Sequence, residues 1–239
     1  MPSVLALHGF MGRGADWTPV ATRLGEAADV LAPDLAGHGS ARDLPADPDT
    51  EADRLAALLD RPAVVAGYSM GGRLALHLAA RHPEAVSGLV LVSAAPGLRD
   101  ADVRVDRRAT DTARAREIAD DYAAFLDRWY RMPLWGGLDE PMRQHLVRDR
   151  LGHNDPAALG RALRGLGPGG MAPLWDSLSR IRVPAVAVAG TRDTAYVTLA
   201  HEMARCGPVR AVLVPDAGHA LLAEAPHAVA DAIRRVLPS

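Results

Sequence analysis

Ser69 sits at the centre of Gly67-Tyr68-Ser69-Met70-Gly71, a G-x-S-x-G between the apolar run Ala63–Ala66 and the helical stretch Met70–Arg81. A sharp strand-to-helix turn there would expose the hydroxyl, and the flanking glycines would permit close backbone approach. An alcohol is a weak nucleophile until a base takes its proton, and the base needs a carboxylate to orient it. Asp193, in Gly190-Thr191-Arg192-Asp193, and His219, in Pro215-Asp216-Ala217-Gly218-His219, each follow a later strand-like run in the required order. With Ser69 they form a candidate triad. Asp193 could instead cap the next helix, and Asp216 is a second candidate to orient His219. The loop His8-Gly9-Phe10 follows the first apolar run, so the N–H groups of Phe10 and Met70 could bind a developing oxyanion.

Arg73 lies four residues after Ser69, on the same helical face, where its guanidinium suits a carboxylate partner. Tyr68 is placed to wall the same pocket. His8 and His38 read as hydrogen-bonded loop histidines. A metal site from His8, Asp34 and His38 lacks ligand spacing, so neither metal nor organic cofactor is expected.

Residues so far apart need a scaffold that gathers them. Short aliphatic runs, Val4–Leu7, Asp29–Ala32, Ala63–Ala66, Leu89–Val92, Ala185–Ala189 and Ala211–Val214, alternate with the helical stretches Trp17–Ala27, Thr50–Leu59, Met70–Arg81, Ala195–Arg205 and Glu224–Val236. Continuous apolar runs separated by helices predict an α/β fold with about six mostly parallel strands covered on both faces. From about Gly97 to Arg182 the strand-like runs cease, and Trp129, Trp135 and Trp175 fall among arginines and aspartates. This predicts a core of residues 1–96 and 182–239 carrying a helical lid, residues 97–181.

Composition removes other functions. The net charge of −2 gives no basic field to recruit nucleic acid. All 27 basic residues are arginine, which excludes Schiff-base chemistry and a Walker-type phosphate loop. A single cysteine, Cys206, excludes an intrachain disulfide and a thiolate cluster. No apolar run approaches the ~20 residues of a membrane span, and no basic leader opens the chain, so a cytoplasmic location is expected.

The segments around His8, Asp34 to Gly39, Ser69, Asp193 and His219 together resemble the α/β-hydrolase superfamily. That implies the α/β-hydrolase fold and the triad; the antiparallel strands that usually open it are expected to be reduced or absent. Gly67 to Arg73 followed by Ala95-Pro96-Gly97-Leu98 is similar to the 2-succinyl-6-hydroxy-2,4-cyclohexadiene-1-carboxylate synthase (MenH) family. Arg107, Trp129-Tyr130, Pro133 and Arg150 fall where that family's insertion carries matching residues, as do Gly165 to Gly169 and Pro173-Leu174-Trp175. The family pattern has Lys-Phe after the triad aspartate where this chain has Ala195-Tyr196, and Gln-Pro where it has Met171-Ala172.

The narrower resemblance implies a carbon–oxygen lyase acting on a tricarboxylate. Arg73, Arg107 and Arg150 would then bind carboxylates, while Tyr68, Trp129 and Tyr130 wall the pocket. The reading of the triad alone leaves open a serine hydrolase of small esters, and a non-catalytic receptor on the same fold.

Overall fold

The computed structural model describes residues 1–238. Six strands, β1 (Ser3–Leu7), β2 (Asp29–Leu31), β3 (Ala63–Tyr68), β4 (Val86–Val92), β5 (Ala185–Gly190) and β6 (Val209–Val214), form one sheet in the order β2-β1-β3-β4-β5-β6. Every neighbouring pair is parallel, as the unbroken apolar runs predict. Strand alternation divides the interior. Leu5, Leu7, Val65, Leu89, Leu91 and Ala187 face one layer of helices, whereas Val4, Ala6, Val64, Ala66, Val90 and Val188 face the other. Each such leucine or valine contributes roughly 1.5–3 kcal/mol of burial.

The first layer holds α2 (Pro48–Ala57), α3 (Met70–Arg81) and α8 (Thr194–Cys206), the second α1 (Thr18–Leu24), α9 (Leu221–Glu224) and α10 (Pro226–Arg234). Helix α3 spans the stretch predicted for it. The predicted single helix Glu224–Val236 is corrected: Ala225 leaves helical geometry at φ −144° and Pro226 begins α10. A proline disfavours the helical conformation of its predecessor, and the apolar periodicity of the stretch runs across that break.

Between β4 and β5 lie α4 (Ala101–Asp120), α5 (Tyr122–Tyr130), α6 (Glu140–His153) and α7 (Pro156–Leu166), with no strand among the described residues. Asp100, Asp121, Asp139 and Asp155 cap their N-termini by accepting backbone N–H groups. Helix α4 buries only Asp111, Ala115 and Ile118. A third apolar cluster seats these helices on the sheet: Ile118, Tyr122, Phe125, Leu126, Tyr130, Trp135 and Leu159 pack with Met11 and Ala220 of the core loops.

Candidate active site

Strand order decides where the loops meet. The chain passes from β1 to β2 on one side and returns to β3 on the other, so the loops after β1 and β3 flank a topological switch point. Leu7 pairs with Gly67, which sets His8-Gly9-Phe10 beside Tyr68-Ser69. At the other pair, Gly190 is matched with Val214, and Arg192 donates its N–H to Ala217 O at 2.9 Å. The segments bearing Asp193 and His219 therefore run side by side.

Ser69 has φ +52° and ψ −109°, a conformation that costs a non-glycine residue about 1–3 kcal/mol. Its N–H bonds to Val92 O at 2.9 Å, and its carbonyl accepts from Gly72 and Arg73, which hold the turn. A Cβ on Gly67 would lie 2.2 Å from Gly71 O, and one on Gly71 would lie 2.3 Å from Leu7 O. Nothing larger than glycine fits either position. Met70 opens α3, so its N–H has no intrahelical acceptor, and the Phe10 N–H makes no backbone bond among the described residues.

His219 is buried, with Nδ1 2.7 Å from Asp193 Oδ2 and Nε2 3.4 Å from Ser69 Oγ. Asp193 uses its other oxygen, Oδ1, to cap α8 through the Tyr196 N–H at 3.4 Å. The capping and orienting roles therefore coexist in one carboxylate. Asp216 is exposed at φ +56° and donates its N–H to Thr191 Oγ1, so its residue belongs to the turn.

Three aromatic rings enclose the imidazole: Tyr196 at 4.6 Å, Trp135 at 5.3 Å and Tyr68 at 5.7 Å between centroids. Glu224 is a functional residue that the sequence reading missed. Its Oε2 accepts the Gly218 N–H at 2.7 Å and its Oε1 the Ala220 N–H at 3.0 Å, so it clamps the backbone on both sides of His219. A carboxylate five residues beyond a candidate catalytic histidine was the available signal.

The expected arginines do not form one group. Arg73 is buried, with one Nη donating to Leu166 O at 3.2 Å and Nε without a partner. Burial brings its pKa down to about 10, and the Arg107 charge acts in the same direction. Arg107, on α4, donates from Nε to Asp111 Oδ1 at 2.8 Å. Both affect Tyr196, whose hydroxyl burial pushes up and their charges pull down.

Arg150 lies elsewhere. It lines a cavity of about 320 Å³ with Asp16, Tyr68, Tyr130, Trp135 and Ala220. Its Nη1 and Nη2 take both oxygens of Asp16 at 2.8 and 2.6 Å, and Nη1 also takes Asp149 at 2.7 Å. Burial opposes its charge, but Tyr130 and Asp16 outweigh that and raise its pKa. Arg150 thus faces this cavity with Asp16 and Asp149 already on its terminal nitrogens. Tyr130 is buried and accepts from Arg150 Nε at 3.4 Å, while Trp129 stacks on Phe125 and meets Phe10 edge-on at 6.0 Å.

His8 Nε2 accepts the Leu35 N–H and His38 Nε2 accepts the Met11 N–H, so both rings brace loops. Burial lowers their pKa values to about 4 and about 3. Among the described residues, no group of three or more His, Cys, Asp or Glu side chains could hold a metal ion. Nor is any helix among them long and apolar enough to cross a membrane.

A parallel sheet, a serine on a strained strand-to-helix turn and a His–Asp pair on the last two strand ends define the class, and the chain belongs to the alpha/beta hydrolase family, whose model matches residues 4–232. It is 32% identical over 251 residues to a putative 2-succinyl-6-hydroxy-2,4-cyclohexadiene-1-carboxylate synthase of Bacillus subtilis, covering 99% of this chain and 90% of that one. It is also 32% identical over 258 residues to the chloroplastic protein PHYLLO of Arabidopsis thaliana; 98% of this chain spans 15% of that much longer protein. The structure of MenH from S. aureus superposes with a TM-score of 0.91 at 29% identity, covering 97% of this chain and 91% of that one. Within the family, the chain falls in the MenH group.

Proposed function

We propose that this protein is a carbon–oxygen lyase that eliminates pyruvate from 2-succinyl-5-enolpyruvyl-6-hydroxy-3-cyclohexene-1-carboxylate, giving 2-succinyl-6-hydroxy-2,4-cyclohexadiene-1-carboxylate in menaquinone biosynthesis. His219, oriented by Asp193, draws the proton from Ser69, and the resulting alkoxide removes a ring proton. The C–H electron pair forms the new ring double bond, the C–O bond breaks, and the departing enolpyruvate takes up a proton to become pyruvate. The N–H groups of Phe10 and Met70 serve as the oxyanion hole for the developing charge. No cofactor takes part.

One observation carries this reading beyond the family: positive charge is in excess on one side of the triad. The buried Arg73 has an unpartnered Nε, and Arg107 and Arg73 share a single neighbouring carboxylate, Asp111. An uncharged ester would leave that charge desolvated, whereas a substrate with three carboxylates satisfies it. Tyr68, Trp129 and Tyr130 complete the walls. Arg150, held by Asp16, lines the cavity and ties the insertion to the core.

The test is a paired assay of pyruvate release and p-nitrophenyl acetate hydrolysis. Ser69→Ala is expected to abolish both. Arg73→Ala is expected to lower kcat/KM for pyruvate release by about 100-fold, the loss of one charge-assisted partner, with a far smaller effect on the ester. Fast ester turnover with no pyruvate from the unaltered protein would overturn the lyase reading and leave a serine esterase working through an acyl-enzyme.

A further inference from the structure

Arg114 stands on α4 seven residues after Arg107 and three after Asp111, so the helix brings all three to one side. Its guanidinium is half-buried and lies 5.4 Å from the Trp129 ring centroid. It makes no hydrogen bond or ion pair among the described residues.

Both acidic groups within its reach are already engaged. Asp111 gives Oδ1 to Arg107 at 2.8 Å and Oδ2 to the Gly169 N–H at 3.3 Å. Glu117 is held by Arg128 at 3.0 Å. Burial first, and then the Arg107 charge, lower the pKa of Arg114, as they do that of Arg73. The three arginines thus share an electrostatic neighbourhood in which cations outnumber free carboxylates.

A guanidinium lying over an indole keeps its N–H edges free for a ligand in its own plane. The indole face returns part of the hydration such a half-buried cation loses, but no carboxylate answers its N–H groups. The arrangement is the one expected of a site awaiting an anion.

We propose that Arg114 is a substrate-binding residue: with Arg107 it brackets one carboxylate of the substrate above Trp129, while Arg73 takes another. This rests on the Arg73–Arg107 wall invoked for the lyase reading and adds to it a specificity-determining residue on the lid. The ligand class is a compact di- or tricarboxylate whose anionic groups are separated by a few carbon atoms. Arg150 takes no part in this wall, because Asp16 and Asp149 neutralise it.

The experiment compares the wild-type protein with Arg114→Gln and Arg114→Lys in two measurements. One is the steady-state kinetics of pyruvate release; the other is calorimetric titration with propane-1,2,3-tricarboxylate at fixed ionic strength. Arg114→Gln is expected to raise KM and the tricarboxylate Kd each by about tenfold, with kcat within about threefold. Arg114→Lys, which keeps the charge but not the planar fork, is expected to fall between, and it serves as the probe if Arg114→Gln does not fold. Unchanged KM and Kd in both variants would overturn the proposal.

Failure of the lyase reading shows separately, as a wild-type protein that releases no pyruvate. The titration then decides alone: a tenfold loss of tricarboxylate affinity in Arg114→Gln sustains the anion seat, and equal or absent binding in wild type and variant removes it.

Discussion

Arg150 and Asp16, 134 residues apart in sequence, meet fork to fork, with both nitrogen termini of one on both oxygens of the other. The pair joins α6, in the helical segment between β4 and β5, to the loop after β1 and is largely shielded from water, with side-chain exposures of 8% and 17%. Removing Arg150 leaves Asp16 without its cation, and removing Asp16 leaves Arg150 with Asp149 alone. Asp16→Ala and Arg150→Ala are each expected to lose about 2–3 kcal/mol in urea unfolding. The double variant is expected to fall short of the sum by about 1 kcal/mol or more. Simple additivity would mean that the fork contributes nothing of its own.

Asp193 and Asp216 compete in sequence for the same role, and turnover can tell them apart. Asp193→Asn keeps an oxygen for the α8 cap but presents the wrong partner to His219 Nδ1. Pyruvate release is expected to fall by about 10³–10⁴. Asp216→Asn, in an exposed turn, is expected to stay within about twofold of wild type. Comparable losses in the two variants would contradict the geometry.

Glu224 holds the N–H groups of Gly218 and Ala220 and so fixes the backbone that carries His219. In Glu224→Gln one of those acceptors becomes a donor facing a donor. A fall in kcat of about tenfold with little change in KM is expected, since the imidazole is displaced while the binding wall is untouched. A variant that loses thermal stability but keeps kcat would show a purely structural clamp.

The buried histidines make stability depend on pH. His8 and His38 have native pKa values of about 4 and about 3, against an ordinary value of 6.5. Below that ordinary value the unfolded chain binds protons that the native protein refuses, so unfolding becomes easier as pH falls. Stability is expected to be fully present above pH ~6.5 and to decline toward pH ~4, each histidine adding up to about 1.4 kcal/mol per pH unit. Urea midpoints measured from pH 7 to pH 4.5 check this. His38→Gln is expected to be weaker at neutral pH but to show a shallower acid slope, and an unchanged slope would remove His38 from the account.

The strands and α3 were legible because their signals are local: apolar runs between turn residues, and a helix punctuated by Ser69 and His82-Pro83. The segments bearing Asp193 and His219 were legible for the same reason. The break at Ala225-Pro226 was hidden by apolar spacing that continues through it. What neutralises an arginine is not local at all. Arg150 and Arg114 look alike in a sequence with 27 arginines, and only the folded chain gives Asp16 to one and an aromatic ring to the other. Tyr196 stands out in the sequence as a departure from the family pattern, but its position against the imidazole depends on the pairing of β5 with β6.

Helix α4 touches the interior through only three side chains, and it carries Arg107 and Arg114 on a scaffold otherwise open to solvent. Its sequence can therefore drift without disturbing the sheet or the turn that carries Ser69. On the lyase reading, descendants of this chain would change what they accept by rewriting a single outer segment while inheriting Ser69, His219 and Asp193 intact.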